Sequence, residues 1–91
     1  MRIIKMNAVE SSQISSVGFD EDINELFVEF TAYGQKTPKK VYKYIDVPIN
    51  LFVNLTNSDS IGSYFFHNIK SEFEYELLRE VVEDGTLTLE Y

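Results

Sequence analysis

Leu26-Phe27-Val28-Glu29-Phe30-Thr31 is the stretch that decides the fold class. Leu26, Val28 and Phe30 alternate with Phe27, Glu29 and Thr31. Successive side chains of a strand point to opposite faces, so one face here is wholly apolar and the other mostly polar. That pattern predicts an antiparallel strand with one face on a core and one in water. Upstream, the stretch 11–17 carries Ile14 and Val17, with Phe19 in step with Val17. It predicts a weaker strand in which Gly18 marks a bend or bulge. The acidic turn Asp20-Glu21-Asp22-Ile23-Asn24 between the two is short, which predicts a hairpin.

Downstream, Gly34, Thr37 and Pro38 punctuate a loop over 32–39. Val41 to Val47 predicts a third strand. Val41, Lys43, Ile45 and Val47 share one parity and Tyr42, Tyr44 and Asp46 the other, and periodicity alone does not choose the inner one. Pro48 opens a helix near Ile49, whose stripe is Leu51, Phe52 and Leu55. Gly62 introduces a second short helix, Ser63 to Ile69, with Phe65, Phe66 and Ile69 on it. Phe73, Leu77, Leu78 and Val81 recur at helical spacing and predict a third helix over 71–84, stopped by Asp84-Gly85. Leu87, Leu89 and Tyr91 alternate and predict a short terminal strand, paired with the sheet edge or with a second copy of the chain.

An alternating strand face needs helical stripes to cover it. The expectation is therefore an α+β fold: a small three- to four-stranded antiparallel sheet packed against two or three short helices. The expected core is Ile14, Val17, Leu26, Val28, Phe30, Val47, Phe52, Leu55, Phe65, Ile69, Leu77 and Val81. Three segments are expected: an N-terminal arm at 1–10, a domain at 11–73, and an acidic helix with a short strand at 74–91.

Ninety-one residues suit a single core. With 44 % hydrophobic residues, six Tyr and seven Phe, that core needs neither metal nor disulfide. The absence of Cys excludes a disulfide framework, a thiol nucleophile and a thiolate metal site. The apolar run within Met1 to Met6 is too short for a signal peptide, and no stretch approaches a membrane span, so a cytoplasmic setting without membrane contact is expected. The formal net charge of -7 repels nucleic acid and anionic lipid as a whole-chain field, though a local basic patch can still bind. Residues 74–91 supply most of it, with six acids against Arg79.

Several residue groups invite a chemical role. Tyr42 and Tyr44, two apart on a strand, share a face and form either a stacking platform for unpaired bases or core beneath the helices. Lys36, Lys39, Lys40 and Lys43 are the basic cluster, able to touch phosphates or simply to keep a loop and strand edge wet. His67 lacks any neighbour suited to a triad or ligand set, and is either a structural or surface histidine or, with Asn68 and Lys70, part of a small polar contact patch. Ser11, Ser12, Ser15 and Ser16 lack the Gly-x-Ser-x-Gly setting of a hydrolase nucleophile and are expected to bond to local backbone. The acids at 20–22 lack EF-hand spacing, and no Gly-rich phosphate loop occurs. The acids Glu74, Glu76, Glu80, Glu83, Asp84 and Glu90 mark either a wet helix face or a surface for a basic partner.

One ordered set of motifs spans some sixty residues. It opens with Ser11-Ser12-Gln13-Ile14-Ser15-Ser16-Val17-Gly18-Phe19-Asp20 and continues with the strand Leu26 to Phe30. Tyr42-Lys43-Tyr44 and Asp46-Val47-Pro48 follow, and Ser60-Ile61-Gly62-Ser63-Tyr64-Phe65 with Ile69-Lys70 closes it. In that order the stretch from Ser11 to about Phe73 resembles the KTSC domain. The family takes its name from a domain at the carboxyl end of some lysyl-tRNA synthetases and also occurs as single small bacterial or phage proteins. RNA binding is the role suggested for it, partly from the synthetase context. The chain departs from the family in a longer Ala32–Lys40 loop, in Phe66 where Asn is frequent, and in His67 where a basic residue is common. Those changes weaken a phosphate-contacting surface there, and residues 74–91 lie outside the resemblance.

The functional expectation is a small non-catalytic interaction module without cofactor or metal, a protein-binding or self-associating accessory protein. The alternative is an RNA or single-stranded nucleic-acid-binding module using Tyr42, Tyr44 and the Lys36–Lys43 cluster. The candidate ligand contacts are Tyr42, Tyr44, Lys39, Lys40, Lys43, His67, Asn68 and Lys70.

Overall fold

In the computed structural model, residues 1–31 and 39–90 are described. The predicted hairpin is its centre: β3 (Ile14–Asp20) pairs antiparallel with β4 (Glu25–Phe30), and Val17 lies opposite Val28. Asn24 closes the turn at φ 55°, a left-handed conformation that Asn tolerates better than most residues. A register shift between Ile14 and Ser16 leaves Ser15 as the extra residue of a bulge. Ile14 and Val17, three apart, thereby reach the same core.

β1 (Arg2–Lys5) and β2 (Asn7–Ala8) precede the hairpin; β5 (Lys40–Tyr44), α1 (Ile49–Thr56), α2 (Ile61–Asn68), β6 (Tyr75–Leu77) and β7 (Thr86–Leu89) follow it. The large sheet has five strands in the order β2-β3-β4-β5-β6, every neighbouring pair antiparallel. A separate two-stranded ribbon joins β1 to β7. The fold is α+β, with two helices and two antiparallel sheets among the described residues, rather than one sheet of three or four strands.

The two helices cover one face of the large sheet. Val47 N–H donates to the Asn24 carbonyl at 2.9 Å, which ties the segment after β5 to the hairpin turn. Pro48 then caps α1 in an extended conformation, a position where its missing N–H costs nothing. Ser60 caps α2, its Oγ accepting from Ser63 N–H at 3.4 Å. Leu55, Phe65 and Ile69 pack onto Val17, Leu26, Val28 and Tyr44, and Phe19 stacks on Phe52 at 5.2 Å.

The opposite face was expected to be wet, and it is not. Phe27 and Val41 are fully buried there, and Ser16, Glu29 and Lys43 are buried with them. The ribbon covers this face with Ile4, Met6, Leu87 and Leu89. Gly18 makes the approach possible: a Cβ there would lie 2.7 Å from the Lys5 carbonyl and 2.6 Å from Met6 Sδ. Helix pair, sheet and ribbon thus form three layers around two cores.

Residues 71–84 depart most from expectation: no helix forms. Phe73 packs into the helix-side core and Leu78 into the ribbon-side core. The segment between them is the edge strand β6, whose alternation sends Phe73 and Leu78, five residues apart, to opposite faces, and one helix stripe does not serve two opposite layers. Leu77 and Val81, expected in the core, are exposed, and Phe30 and Phe52 are half-buried. Asp84-Gly85 is not a helix stop but the tip of a hairpin, both residues at positive φ (52° and 74°), flanked by reciprocal 2.9 Å bonds between Glu83 and Thr86. Asp-Gly suits such a type I′ turn because both central residues need positive φ. The terminal strand pairs with β1, within residues 1–10, rather than with the edge of the large sheet. Tyr91 and Lys36 lie outside the described residues.

Candidate interaction surface

The helix-facing parity of β5 is the one that carries the tyrosines. Tyr44 is only 4 % exposed and meets Phe65 edge-to-face at 5.4 Å. Burial, reinforced by the neighbouring Tyr42 and Tyr75 phenols, pushes its hydroxyl up to about 12. Tyr44 is thus a neutral core residue beneath α2. Tyr42 is half-buried between Phe30, edge-on at 5.5 Å, and Tyr75, tilted at 5.8 Å.

The aromatic row runs outward to the sheet edge. β6 sets Tyr75 opposite Tyr44 and Leu77 opposite Tyr42. Tyr75 is 60 % exposed and Leu77 49 %. Lys40 is exposed and shares the parity of Tyr42, so strand alternation places it on the same face. Acids crowd the approach: Glu72, Glu74 and Glu76 are all exposed.

The lysine cluster does not hold together. Lys43 points to the ribbon side, 8 % exposed, with Nζ 3.4 Å from Glu76 and 3.8 Å from Glu25. Arg2 completes that network at 2.8 Å from Asp20 and 3.0 Å from Glu25. Lys39 Nζ donates to Ser15 Oγ at 2.9 Å. Among the described lysines of the cluster, Lys40 is the one on the face of the tyrosines.

The α2 candidates sit elsewhere. His67, Asn68 and Lys70 are exposed, on the outside of the helix whose inner residue is Phe65. His67 Nδ1 lies 2.9 Å from the Ser63 carbonyl, which only accepts, so Nδ1 carries the ring proton. Asn68 Nδ2 donates back to the Tyr64 carbonyl at 3.1 Å. Lys70 Nζ stands 4.8 Å over the ring of Phe66. Phe66, set by its spacing on the apolar stripe of the helix, is a surface aromatic 58 % exposed.

Between α2 and the start of β3 lies an open cleft of about 410 Å³ lined by Ser11, Ser12, Gln13, Ser60, Gly62 and His67. Ser11 Oγ accepts from the Gln13 and Ile14 amides at 3.3 Å, as expected of a strand-start hydroxyl. Glu10 and Asp59 flank the cleft, which opposes an anion. Among the described residues there is no group of three His, Asp or Glu placed to hold a metal, and no helix long and apolar enough to cross a membrane.

The family model for the KTSC domain matches residues 10–73. The chain belongs to the KTSC domain family. Its fold is similar to the crystal structure of a KTSC domain protein from Yersinia pestis, with a TM-score of 0.73 and 29 % identity over 82 % of this chain and 97 % of that one. No curated protein matches. The motifs at the two ends of the KTSC match, Ser11–Gln13 and Ser60–Ser63, are the two walls of the cleft. The KTSC match stops at Phe73, just before β6 with its exposed pair Tyr75 and Leu77. Sequence reasoning missed that pair because Leu77 fitted a helical stripe and Tyr75 fitted none.

Proposed function

We propose that this KTSC domain is a non-catalytic interaction module whose partner is a protein, engaged at the free edge of the five-stranded sheet. The observation that carries the reading is the pair Tyr75 and Leu77, two large apolar side chains exposed together on an edge strand. They continue into half-buried Tyr42 and Phe30. Contiguous exposed apolar surface marks contact sites in soluble proteins. The setting favours protein over nucleic acid. Tyr44 is buried, Lys43 is held among carboxylates, and Glu72, Glu74 and Glu76 surround the aromatic edge of a chain with net charge -7. A small accessory protein acting in the cytoplasm fits the absence of Cys.

The test is a peptide-display selection on the immobilised chain, with Leu77→Asp as counter-selection and labelled single-stranded RNA assayed in parallel at two salt concentrations. Enriched peptides that bind the native chain and fail on Leu77→Asp support the reading. No enrichment refutes it. RNA binding that weakens with salt and vanishes in Tyr42→Ala assigns the surface to nucleic acid instead.

A further inference from the structure

We infer that the outer edge of β6 takes up its partner as an added strand, and that the occupant is an extended segment alternating apolar residues with lysine or arginine. The inference deepens the protein-interaction reading and rests on it.

The backbone supplies the first reason. Ile45 N–H donates to the Glu74 carbonyl and Leu78 N–H to the Val41 carbonyl, each at 2.9 Å. In an antiparallel ladder, residues that exchange hydrogen bonds alternate with residues that do not. Glu74, Glu76 and Leu78 therefore turn their amides and carbonyls to β5, and Tyr75 and Leu77 turn theirs outward. Among the described residues no strand lies on that side. Lysine, proline or a bulge commonly guards such an edge. β6 is short, three residues, but has none of these, and its single charge is Glu76.

The side chains supply the second. Tyr75 and Leu77 share the helix-side face, and Glu74 and Glu76 the other parity. A strand laid along β6 sets its own residues beside these by parity. Apolar side chains would meet Tyr75 and Leu77, and cationic ones would meet Glu74 and, shared with Lys43, Glu76. Backbone bonds then hold the partner while alternate side chains select it.

Charge also decides against a second copy of this chain. Antiparallel pairing of two β6 edges has three registers that join outward-facing residues. With Tyr75 opposite Leu77, Glu76 faces Glu76. With Tyr75 opposite Tyr75, Glu74 faces Glu76. Directly opposed like charges destabilise a strand pair. The third register, Leu77 opposite Leu77, escapes this opposition but still joins two chains of net charge -7.

The probe is a short synthetic peptide alternating lysine and valine, with two controls: the glutamate–valine counterpart, and the lysine–valine peptide N-methylated on the amides that face β6. Amide hydrogen exchange of the full chain is read residue by residue. Strand addition slows exchange at Tyr75 and Leu77 by about tenfold or more at saturation, while Leu78, already bonded, barely changes. The N-methylated and glutamate peptides give no slowing. Leu77→Pro removes only an outward N–H, so the chain stays folded, as its unchanged circular dichroism shows, and loses the peptide.

Binding that Leu77→Asp abolishes without slowing of either amide overturns strand addition and leaves the interaction reading standing. No binding of the lysine–valine peptide at millimolar concentration overturns the proposed occupant, and the display selection then reports separately on the interaction reading. Slowing that grows with protein concentration alone, accompanied by a doubled mass, makes the occupant a second copy and refutes the choice made here.

Discussion

Ser16 Oγ donates a 2.8 Å hydrogen bond to Glu29 Oε1, with both residues buried between the large sheet and the ribbon. The two lie opposite each other on β3 and β4, on the face that alternation marks as polar. A carboxylate taken out of water needs such a donor, because an unsatisfied one carries its full desolvation cost. Ser16→Ala is therefore expected to destabilise the chain by about 1–3 kcal/mol. Urea denaturation checks this, and a loss well under that range would mean that water reaches Glu29.

Gly18 sits where the ribbon crosses β3. A Cβ there meets the Lys5 carbonyl at 2.7 Å, and a backbone atom cannot swing aside as a side chain can. Gly18→Ala is expected to cost about 1–3 kcal/mol by pushing β1 off the sheet. Thermal unfolding gives the size, and faster amide exchange in β1 than in α1 gives the place.

The Asp84-Gly85 tip links Glu83 to the ribbon. Gly85 sits at φ 74°, where a side chain is strained. Gly85→Ala is expected to lower stability by about 1 kcal/mol, whereas Asp84→Asn, which tolerates the same backbone, changes little. Equal losses in both variants would argue against the turn as the cause.

Tyr44 links alkaline stability to burial. Its hydroxyl is raised from the ordinary value near 10 to about 12 because burial disfavours the phenolate. The unfolded chain therefore ionises this group first. The stabilisation is whole below about pH 10 and is lost as the pH rises from there through about 12. Tyr44→Phe removes the hydroxyl and should flatten that alkaline decline. An unchanged profile would assign the decline to other groups.

Leu77 is exposed at the sheet edge, so its side chain adds little to the fold. Leu77→Asp is expected to shift stability by no more than about 0.5 kcal/mol. A larger loss by chemical denaturation would mean that Leu77 is needed for packing, and that its exposure does not mark a contact surface.

Much of the helix-side layer is legible in the sequence. The hairpin of β3 and β4 follows from period-two alternation around a short acidic turn, and α1 and α2 follow from Pro48, Gly62 and their apolar stripes. The Tyr42–Lys43–Tyr44 strand was legible too, but not which parity faced inward. The candidate site was only partly readable. Tyr42 and Lys40 stand together, Tyr44 went to the core, Lys43 to the opposite layer, and His67, Asn68 and Lys70 to the outside of α2.

By itself, then, the sequence determined the α+β class, the hairpin and the two helices, because those depend on spacing within one short segment. Tertiary structure alone decided the rest. Whether Phe27, Glu29 and Lys43 lie in water or under a ribbon depends on Ile4, Leu87 and Leu89 at the two ends of the chain. Residues 71–84 carry a helical spacing that is locally sound. Phe73 and Leu78 are claimed by two cores on opposite sides of the sheet, and an extended edge strand, alternating between the two faces, reaches both. That strand leaves Tyr75 and Leu77 exposed, with their backbone groups turned away from β5.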